Sequence, residues 1–218
     1  MLTKIIRVFT YARKNGIVVT AKKIIGKSGV ISKVLLKRVF NFEPWHVSSF
    51  LDRPYAHSVV AFLNSRPHRT SVVEVGCGLG DILRRLDFKD RLGLDRSEEV
   101  LRAARILAVI SPRRRRHTTF QTFDFLVGDL SGKFDAIILV NWIHEIEPAA
   151  LKGAIDKLFT KNLRADGVIL IDVLDSPGYR YSHSVEEISR NLPCHIIPLG
   201  DFDFSRRVFA LVQTGNPK

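Results

Sequence analysis

The most constraining feature of this sequence is a glycine-rich segment, VEVGCGLGD, at residues 73–81. An apolar run ends at Glu74 and Val75, a Gly-x-Gly-x-Gly turn follows at residues 76–80, and a short helical pattern comes next. This order is typical of a buried parallel strand that stops at a tight turn feeding a helix. Because such a turn lets a ligand reach backbone amides, the sequence predicts an α/β fold with a ligand site at the turn.

Length and composition limit the class of protein. The 218 residues suit one domain with a terminal appendage, and the hydrophobic fraction of 45% is ordinary for a soluble globular protein. The two cysteines, Cys77 and Cys194, are isolated, so neither a disulfide framework nor a cysteine-based zinc site is indicated. No apolar run approaches the roughly 20 residues that span a bilayer, and the N-terminus lacks the compact apolar core of a signal peptide. The expected location is the cytoplasm.

The net charge of +12 is concentrated at the N-terminus. Residues 1–42 contain ten Lys or Arg and no acid, whereas residues 43–218 are nearly neutral. In this stretch the bases alternate with apolar residues at helical spacing, with breaks expected near Asn15-Gly16 and residues 26–29. The sequence therefore predicts a basic amphipathic helical arm over 1–42, followed by a domain over 43–218 whose first part, 43–70, precedes the glycine motif as a cap segment.

Three roles are open for the arm. It could pack on the rest of the chain, lie on an anionic membrane surface, or contact the phosphates of RNA. An arm that binds nucleic acid is more often polar between its charges, so the interleaved Ile, Val and Phe favour a membrane surface over nucleic acid.

From residue 71 onward, short apolar runs alternate with amphipathic ones. The predicted strands are 71–75, 91–94, 118–122, 134–140, 168–173, 195–198 and 207–214. The predicted helices are 80–86, 98–107, 148–159 and 185–192, and three of them have marked starts at Ser97, Pro148 and Ser184. Alternating strands and helices predict a parallel sheet covered on both faces. The loop at 200–206 is too short for a crossover helix, so the last strand should pair antiparallel.

Acidic residues flank the glycine turn on both sides. Glu74 precedes it, and Asp81 stands where a dinucleotide-binding fingerprint has a small residue, while the third glycine comes one residue earlier than in that fingerprint. Each carboxylate next to a pyrophosphate would be unfavourable by about 1 kcal/mol or more when partly desolvated. A cationic ligand suits the turn better, and S-adenosylmethionine, with its ammonium and sulfonium groups, is the expected cofactor.

Residues 74–80 resemble the first motif of class I S-adenosylmethionine-dependent methyltransferases, and later landmarks follow in the order of that family. The resemblance covers about residues 70–214. It implies that Asp95 closes the second strand and hydrogen-bonds the ribose hydroxyls, and that Asp124 and its apolar neighbour meet the adenine. It also implies that the segment after the fourth strand, from Asn141 to His144, lines the methyl-transfer face. The cofactor-binding residues predicted on this basis are Glu74, Gly76, Cys77, Gly78, Gly80, Asp95, Arg96, Asp124, Phe125 and Asn141.

The resemblance also implies the fold and makes His144 the best-placed candidate for a catalytic base. The fold would be a Rossmann-like, doubly wound, mostly parallel seven-stranded sheet with an antiparallel last strand, to which the basic helical arm is added. An imidazole has an ordinary pKa near 6.5 that suits proton removal from an acceptor hydroxyl, and Glu145 could orient it. The alternative is that His144 only packs against the cofactor or caps the next helix. His46 and Tyr55, before the glycine motif, are second-rank candidates.

Several of these residues have a plainer interpretation. Asp95 could cap the following helix, Asp124 could be an ordinary loop acid, and Cys77 could be a small filler. The four arginines at 113–116 could form a solvated loop or meet phosphates.

The absence of certain motifs from the sequence limits the range of possible methyl acceptors. The Asp/Asn-Pro-Pro-aromatic motif of amino-group methylation does not follow the fourth strand, and Pro193-Cys194 stands too late in the chain to be the nucleophile dipeptide of cytosine-5 enzymes. No metal cluster is predicted, although Asp172 is a single acid near where catechol-type enzymes hold a cation. The predicted function is methyl transfer to a small-molecule or glycan-type acceptor, including a lipid-linked glycan, at oxygen. The alternatives are an RNA methyltransferase and a non-catalytic methyltransferase-like binding module, and the oligomeric state is open.

Overall fold

A computed structural model describes residues 17–110 and 117–214, with the backbone alone for residues 17–28. The first 16 residues of the arm and the arginine run at 113–116 lie outside the described residues. Contacts divide the chain into two units, Met1–Arg53 and Pro54–Lys218. The predicted cap segment, 43–70, is thus split between the two units, and its role as a cap stays a prediction.

The first unit is built on helix α1, Ile17–Phe40. It continues through residues 26–29, where the sequence predicted a break. A glycine inside a helix costs only about 1 kcal/mol relative to alanine, which the helix-forming residues on either side outweigh. The helix ends at Asn41, whose φ of 52° is left-handed and whose N–H donates to the Lys37 carbonyl at 2.8 Å.

Two short 3₁₀ turns follow α1, at Pro44–Val47 and Phe50–Asp52. The buried Lys33 side chain reaches from the helix to this segment, where its Nζ donates to the Ser48 carbonyl at 2.6 Å. One face of α1 is therefore fixed against the turns that follow it.

The second unit contains a seven-stranded sheet with the order β3-β2-β1-β4-β5-β7-β6. All neighbouring strands pair parallel except β5 with β7 and β6 with β7, which pair antiparallel. This confirms the predicted fold class, including the reversed last strand. The strands are β1 Ser71–Val75, β2 Asp90–Asp95, β3 His117–Thr122, β4 Phe134–Leu139, β5 Leu163–Leu174, β6 Cys194–Phe202 and β7 Arg206–Gln213.

The helices of this unit begin where their capping residues stand. Ser97 Oγ accepts from the N–H of Val100 at 3.2 Å, and Ser184 Oγ accepts from Glu187 N at 3.3 Å, so both predicted starts are confirmed. The helices are α2 Pro54–Ser65, α3 Glu98–Val109, α4 Pro148–Lys157 and α5 Val185–Ser189, and α4 continues as a π-helical turn at Leu158–Asn162.

The prediction of a helix at 80–86 is wrong, because this segment forms a single 3₁₀ turn, at Leu83–Arg85. The Arg91 guanidinium donates to the carbonyls of Leu83 and Leu86 at 3.2 and 3.3 Å. Those carbonyls would otherwise need partners farther along a helix. The apolar residues of this connection are also buried against the sheet, so that a short irregular crossover replaces a full helix; they are Leu79, Ile82, Leu83, Leu86 and Phe88.

The core lies on both faces of the central strands. All five residues of β1 are buried, as are the last eight of β5, which is the pattern of a sheet covered by helices on both sides. In the part of the chain that the structure describes, none of the helices combines the length and apolar character that a membrane span requires.

Candidate active site

The glycine turn lies at the carboxyl end of β1, where the chain order of the sheet reverses between β1 and β4. Open α/β sheets bind ligands at such a switch point. Gly76 has a φ of 67°, and a Cβ added to it would stand 2.5 Å from Cδ1 of Trp142. Glycine is therefore required here both by the backbone conformation and by the indole packed on it. The N–H of Cys77 donates to the Leu94 carbonyl at 2.9 Å and ties the turn to β2.

The two acids that flank the turn have partners inside the protein. The Glu74 carboxylate accepts from Leu83 N at 3.3 Å, and Asp81 pairs with Arg84 at 2.6 Å. Both acids are buried. Their contacts stabilise the irregular connection from β1 to β2, whereas the sequence led us to expect both carboxylates to face a ligand. The role of Glu74 in binding the cofactor stays a prediction.

Asp95 is held at the end of β2 with its carboxylate facing the turn. One oxygen accepts from Gly78 N at 2.9 Å and the other from Ser97 N at 3.1 Å. The cap of α3 is Ser97, so Asp95 orients the start of that helix without being its cap. Each carboxylate oxygen has two lone pairs, and the one left on each can accept from a pair of ligand hydroxyls. The neighbouring Arg96 is exposed.

Cys77 is buried beneath the turn. Burial, followed by the negative charges of Glu74 and Asp95, raises the pKa of its thiol well above the ordinary value. The thiol is therefore protonated and unreactive at neutral pH, which agrees with its interpretation as a small filler.

An aromatic pair stands between the ends of β3 and β4. The rings of Phe125 and Trp142 meet edge to face at 5.0 Å between centroids. Asp124 is exposed and its carboxylate accepts from Leu126 N at 3.0 Å, which fixes the loop that carries Phe125. Trp142 Nε1 is buried and has no hydrogen-bond partner among the described residues.

Trp142 lies in the segment from Asn141 to His144 that is predicted to line the methyl-transfer face, but it is not among the individual cofactor-binding residues predicted from the sequence. The structure places it on both Gly76 and Phe125. A buried indole N–H without a partner is unusual in a folded protein, and a ligand acceptor would satisfy it. The sequence did carry a signal, because Trp142 stands directly after Asn141 in the segment that ends β4.

Asn141 leaves β4 in a left-handed conformation, with a φ of 79°. Its backbone N–H donates to Asp172 Oδ1 at 2.8 Å, while Asp172 Oδ2 is paired with the Arg206 guanidinium. The guanidinium carbon lies 4.4 Å from the ring centroid of Tyr55, which covers its face. Asp172 and Arg206 are both buried. We call these four residues the charge cluster.

In the charge cluster each carboxylate oxygen of Asp172 has a protein partner. Within residues 17–110 and 117–214 there is also no group of three or more His, Cys, Asp and Glu side chains arranged to hold a metal ion. Sequence reasoning did not connect Asp172 with Arg206, because the pair joins β5 to β7, 34 residues apart.

His144 lies beside the charge cluster and is 1% exposed. Its Nε2 is 3.5 Å from Asp172 Oδ2 without hydrogen-bond geometry, and neither ring nitrogen has a hydrogen-bond partner among the described residues. Burial, and then the positive charge of Arg206, lower the pKa of His144 to about 4. The imidazole is thus neutral at pH 7. Glu145 is exposed and acts on His144 only as a weaker opposing charge.

The loop after β5 covers His144. The ring of Tyr179 meets the imidazole edge on at 5.0 Å, and the N–H of Tyr181 donates to the His144 carbonyl at 3.1 Å. His183 Nε2 lies 3.0 Å from the Ile143 carbonyl, and burial lowers the pKa of His183 as well. His46, a second-rank candidate, lies in the first unit, where its ring meets that of Phe42 edge to face and that of Trp45 at a tilt.

The sheet order, the glycine turn and the acid at the end of β2 define the class I methyltransferase fold. Residues 73–169 match the family model described as a methyltransferase domain. Family match and fold together confirm the predicted class of enzyme, whose methyl donor is S-adenosylmethionine. The residues present fit that donor. Asp95 presents free carboxylate lone pairs, and the Trp142 N–H beside the turn has no partner within residues 17–110 and 117–214.

Solved structures with the same fold include magnesium protoporphyrin IX methyltransferase from Synechocystis PCC 6803, with bound SAH. It is 19% identical, has a TM-score of 0.63, and the match covers 88% of this chain and 100% of that one. The N-methyltransferase NodS from Bradyrhizobium japonicum WM9 is 15% identical over 76% of this chain and 97% of its own, with a TM-score of 0.61. The amino pentose methyltransferase CalS10 from Micromonospora echinaspora is 15% identical over 82% and 95%, with a TM-score of 0.58. No curated protein matches the sequence.

Proposed function

We propose that this enzyme transfers the methyl group of S-adenosylmethionine to an oxygen of a small-molecule or glycan-type acceptor. The observation that carries the proposal is the state of His144. It is neutral at pH 7, buried, and without a hydrogen-bond partner on either ring nitrogen among the described residues. The ring nitrogens of the neutral imidazole, unpartnered within the described ranges, are free to accept a proton, which methylation at oxygen requires. With a pKa of about 4, the ring is a weaker base than the ordinary imidazole expected from the sequence.

In this proposal, one set of residues binds the methyl donor and another set binds and activates the acceptor. On the donor side, Asp95 would accept from the ribose hydroxyls, the amides of the 76–80 turn would meet the carboxylate of the methionine part, and Phe125 would pack against the adenine. The cofactor supplies a methyl group on a positively charged sulfur. Since that group is already a good electrophile, the protein mainly aligns the acceptor and excludes water.

On the acceptor side, Asp172 would set the tautomer of His144. A carboxylate near Nε2 favours the proton on that nitrogen. The lone pair of Nδ1 is then the one that receives the proton from the acceptor hydroxyl. Tyr179, packed edge-on against the imidazole, would exclude water from this face.

Two enzymes with similar structures, each named for a small acceptor, support a small acceptor here. One of those enzymes is named for magnesium protoporphyrin IX and another for an amino pentose. Both share this fold over more than four-fifths of the present chain.

The test is a comparison of turnover with cofactor affinity in His144→Gln. We expect kcat to fall by about a hundredfold or more, with the Kd for S-adenosylmethionine within about twofold of wild type, because His144 acts on the acceptor. His68→Gln, which changes an exposed histidine, is the control. An equal loss of turnover and cofactor affinity would place His144 in cofactor binding and remove the proposed base.

We also propose that the arm, residues 1–42, holds the enzyme at an anionic membrane, where a lipid-linked glycan acceptor would lie. The absence of any acid among ten bases supports this location. Co-sedimentation with anionic vesicles should be strong for the full chain and weak for a chain that starts at Glu43. Equal sedimentation of the two would contradict the proposal.

A further inference from the structure

The outward face of α1 is apolar. Ile31, Val34, Leu35 and Val39 are between 37% and 72% exposed. Their spacing of three and four residues places them on one side of the helix. Arg38 is exposed within the same arc. We call these five residues the α1 stripe.

The opposite face of α1 is already occupied within its own unit. Lys33 is 4% exposed and donates to the Ser48 carbonyl at 2.6 Å. Leu36 and Phe40, on the same side as Lys33, are partly buried. The orientation of the helix in this unit is therefore fixed, and the α1 stripe is the face that it leaves uncovered.

An exposed tryptophan follows the helix. Trp45, in the turn Pro44–Val47, is 68% exposed and its ring lies next to that of His46. Tryptophan is enriched where protein meets the membrane–water interface, because its ring is apolar and its N–H is polar. Because the segment that carries it packs on the Lys33 side of α1, Trp45 is not counted in the α1 stripe.

The positive charge of the arm indicates which kind of partner binds the α1 stripe. A second copy of this chain would bring another ten bases and no acid to the contact, which like-charge repulsion opposes. RNA would neutralise the bases and leave the apolar side chains in water. A bilayer with anionic headgroups meets both requirements, because the bases lie among the headgroups and the apolar stripe enters the acyl boundary.

We propose that the α1 stripe is the surface by which the protein lies on an anionic lipid bilayer. The inference rests on the membrane association proposed above and specifies the face that makes it. Helix α1 lies in the plane of the interface, with Leu35 and Val39 inserted and Arg38 reaching back to the headgroups.

The test uses the full chain and the paired variant Leu35→Gln/Val39→Gln, since glutamine preserves helix propensity. The control is Val109→Gln/Ile110→Gln, which removes two equally exposed apolar side chains at the end of α3. Binding is measured by co-sedimentation with vesicles of phosphatidylglycerol and phosphatidylcholine, and with vesicles of phosphatidylcholine alone. We expect the α1 variant to bind the anionic vesicles at least about tenfold more weakly and the control to bind like wild type. Wild type should bind the neutral vesicles weakly.

Three results would overturn the proposal. The first is equal binding of wild type and the α1 variant to anionic vesicles. The second is a wild-type protein that ignores these vesicles and is dimeric by sedimentation, while the α1 variant is monomeric, which would assign the stripe to a second copy. The third is RNA binding by wild type that the α1 variant loses. Calorimetric binding of S-adenosylmethionine, measured on each protein, separates failure of the stripe from failure of the proposed methyl transfer.

Discussion

The two parts of the site to which we assign the methyl donor and the acceptor, and which we call the donor side and the acceptor side, are built in different ways. On the donor side, Asp95 is held by the N–H groups of Gly78 and Ser97, both within 17 residues of it. On the acceptor side, Asp172 joins Asn141 and Arg206, which are 31 and 34 residues away. On the donor side, the partners of Asp95 are thus uncharged backbone groups that are close in sequence. On the acceptor side, the site depends on a buried ion pair between strands that are distant in sequence.

This difference determines how each side should respond to substitution. Loss of a carboxylate that accepts only backbone hydrogen bonds, such as Asp95, mainly lowers the affinity for the ligand. Loss of one member of a buried ion pair leaves its partner uncompensated and weakens the folded state itself. Removal of a charge on the acceptor side should therefore cost stability, and removal of the Asp95 charge on the donor side should cost cofactor affinity.

The largest expected effect is that of Arg206→Met. Without the guanidinium, the Asp172 carboxylate is buried without its cation, which should lower the free energy of unfolding by about 3–5 kcal/mol. Urea unfolding followed by circular dichroism measures it. The double variant Asp172→Asn/Arg206→Met should recover most of the loss, because it removes both charges.

The matched control for this pair is Arg102→Met, which breaks an exposed ion pair with Glu98 on α3. Exposed pairs contribute at most about 1 kcal/mol. An Arg206→Met protein as stable as the Arg102→Met protein would show that the charge cluster does not hold the acceptor side together.

Gly76→Ala should have the next largest effect. The new Cβ would meet the Trp142 indole at 2.5 Å and would occupy a φ of 67°. We expect a loss of stability of about 2 kcal/mol together with loss of measurable cofactor binding. Gly153→Ala is the control, because a Cβ in that helical position meets nothing within 4 Å, and it should stabilise the protein by about 0.5–1 kcal/mol. Normal cofactor binding by Gly76→Ala would contradict the turn's role.

The pH dependence of stability tests the state of His144. Its folded pKa of about 4 lies below the ordinary 6.5, so below pH 6.5 the unfolded chain takes up a proton that the folded protein excludes. Above pH 6.5 the ring is neutral in both states and costs no stability. As the pH falls from 6.5 to 4, protonation of the unfolded chain should lower the free energy of unfolding by about 3 kcal/mol.

His144→Gln should remove most of that slope when unfolding is measured by denaturant at several pH values. Part of it should remain, because the pKa of His183 is lowered in the same direction. A slope unchanged by the substitution would mean that the imidazole of His144 is not held neutral by its burial.

The smallest expected change in stability is that of Asp95→Asn. The asparagine carbonyl can still accept from Gly78 or Ser97, so unfolding should change by less than about 1 kcal/mol. The Kd for S-adenosylmethionine should rise about tenfold, since hydrogen bonds to a charged acceptor are lost. Lys89→Gln, at an exposed position before β2, should leave the Kd near that of wild type. If Asp95→Asn lost much stability and kept its affinity for S-adenosylmethionine, the donor and acceptor sides would not differ in the way described.

The same contrast explains what could be predicted from sequence. All seven strands were located, as were the glycine turn and Asp95, because strand periodicity and a glycine motif are local patterns. The partners of Asp172 could not be predicted, since Arg206 and Tyr55 come together only when β7 and α2 are placed. The 3₁₀ turn at Leu83–Arg85 was missed for a similar reason, because the side chain that replaces the helix, Arg91, belongs to β2.

The central claim is that the site at the carboxyl end of β1 binds a positively charged methyl donor through Asp95 and the glycine turn. Isothermal titration calorimetry of the wild type and of Asp95→Asn with S-adenosylmethionine, S-adenosylhomocysteine and NAD tests it most directly. We predict that wild type binds the first two and ignores NAD, and that Asp95→Asn binds the first two about tenfold more weakly. Binding of NAD by a protein that ignores S-adenosylmethionine would contradict the claim.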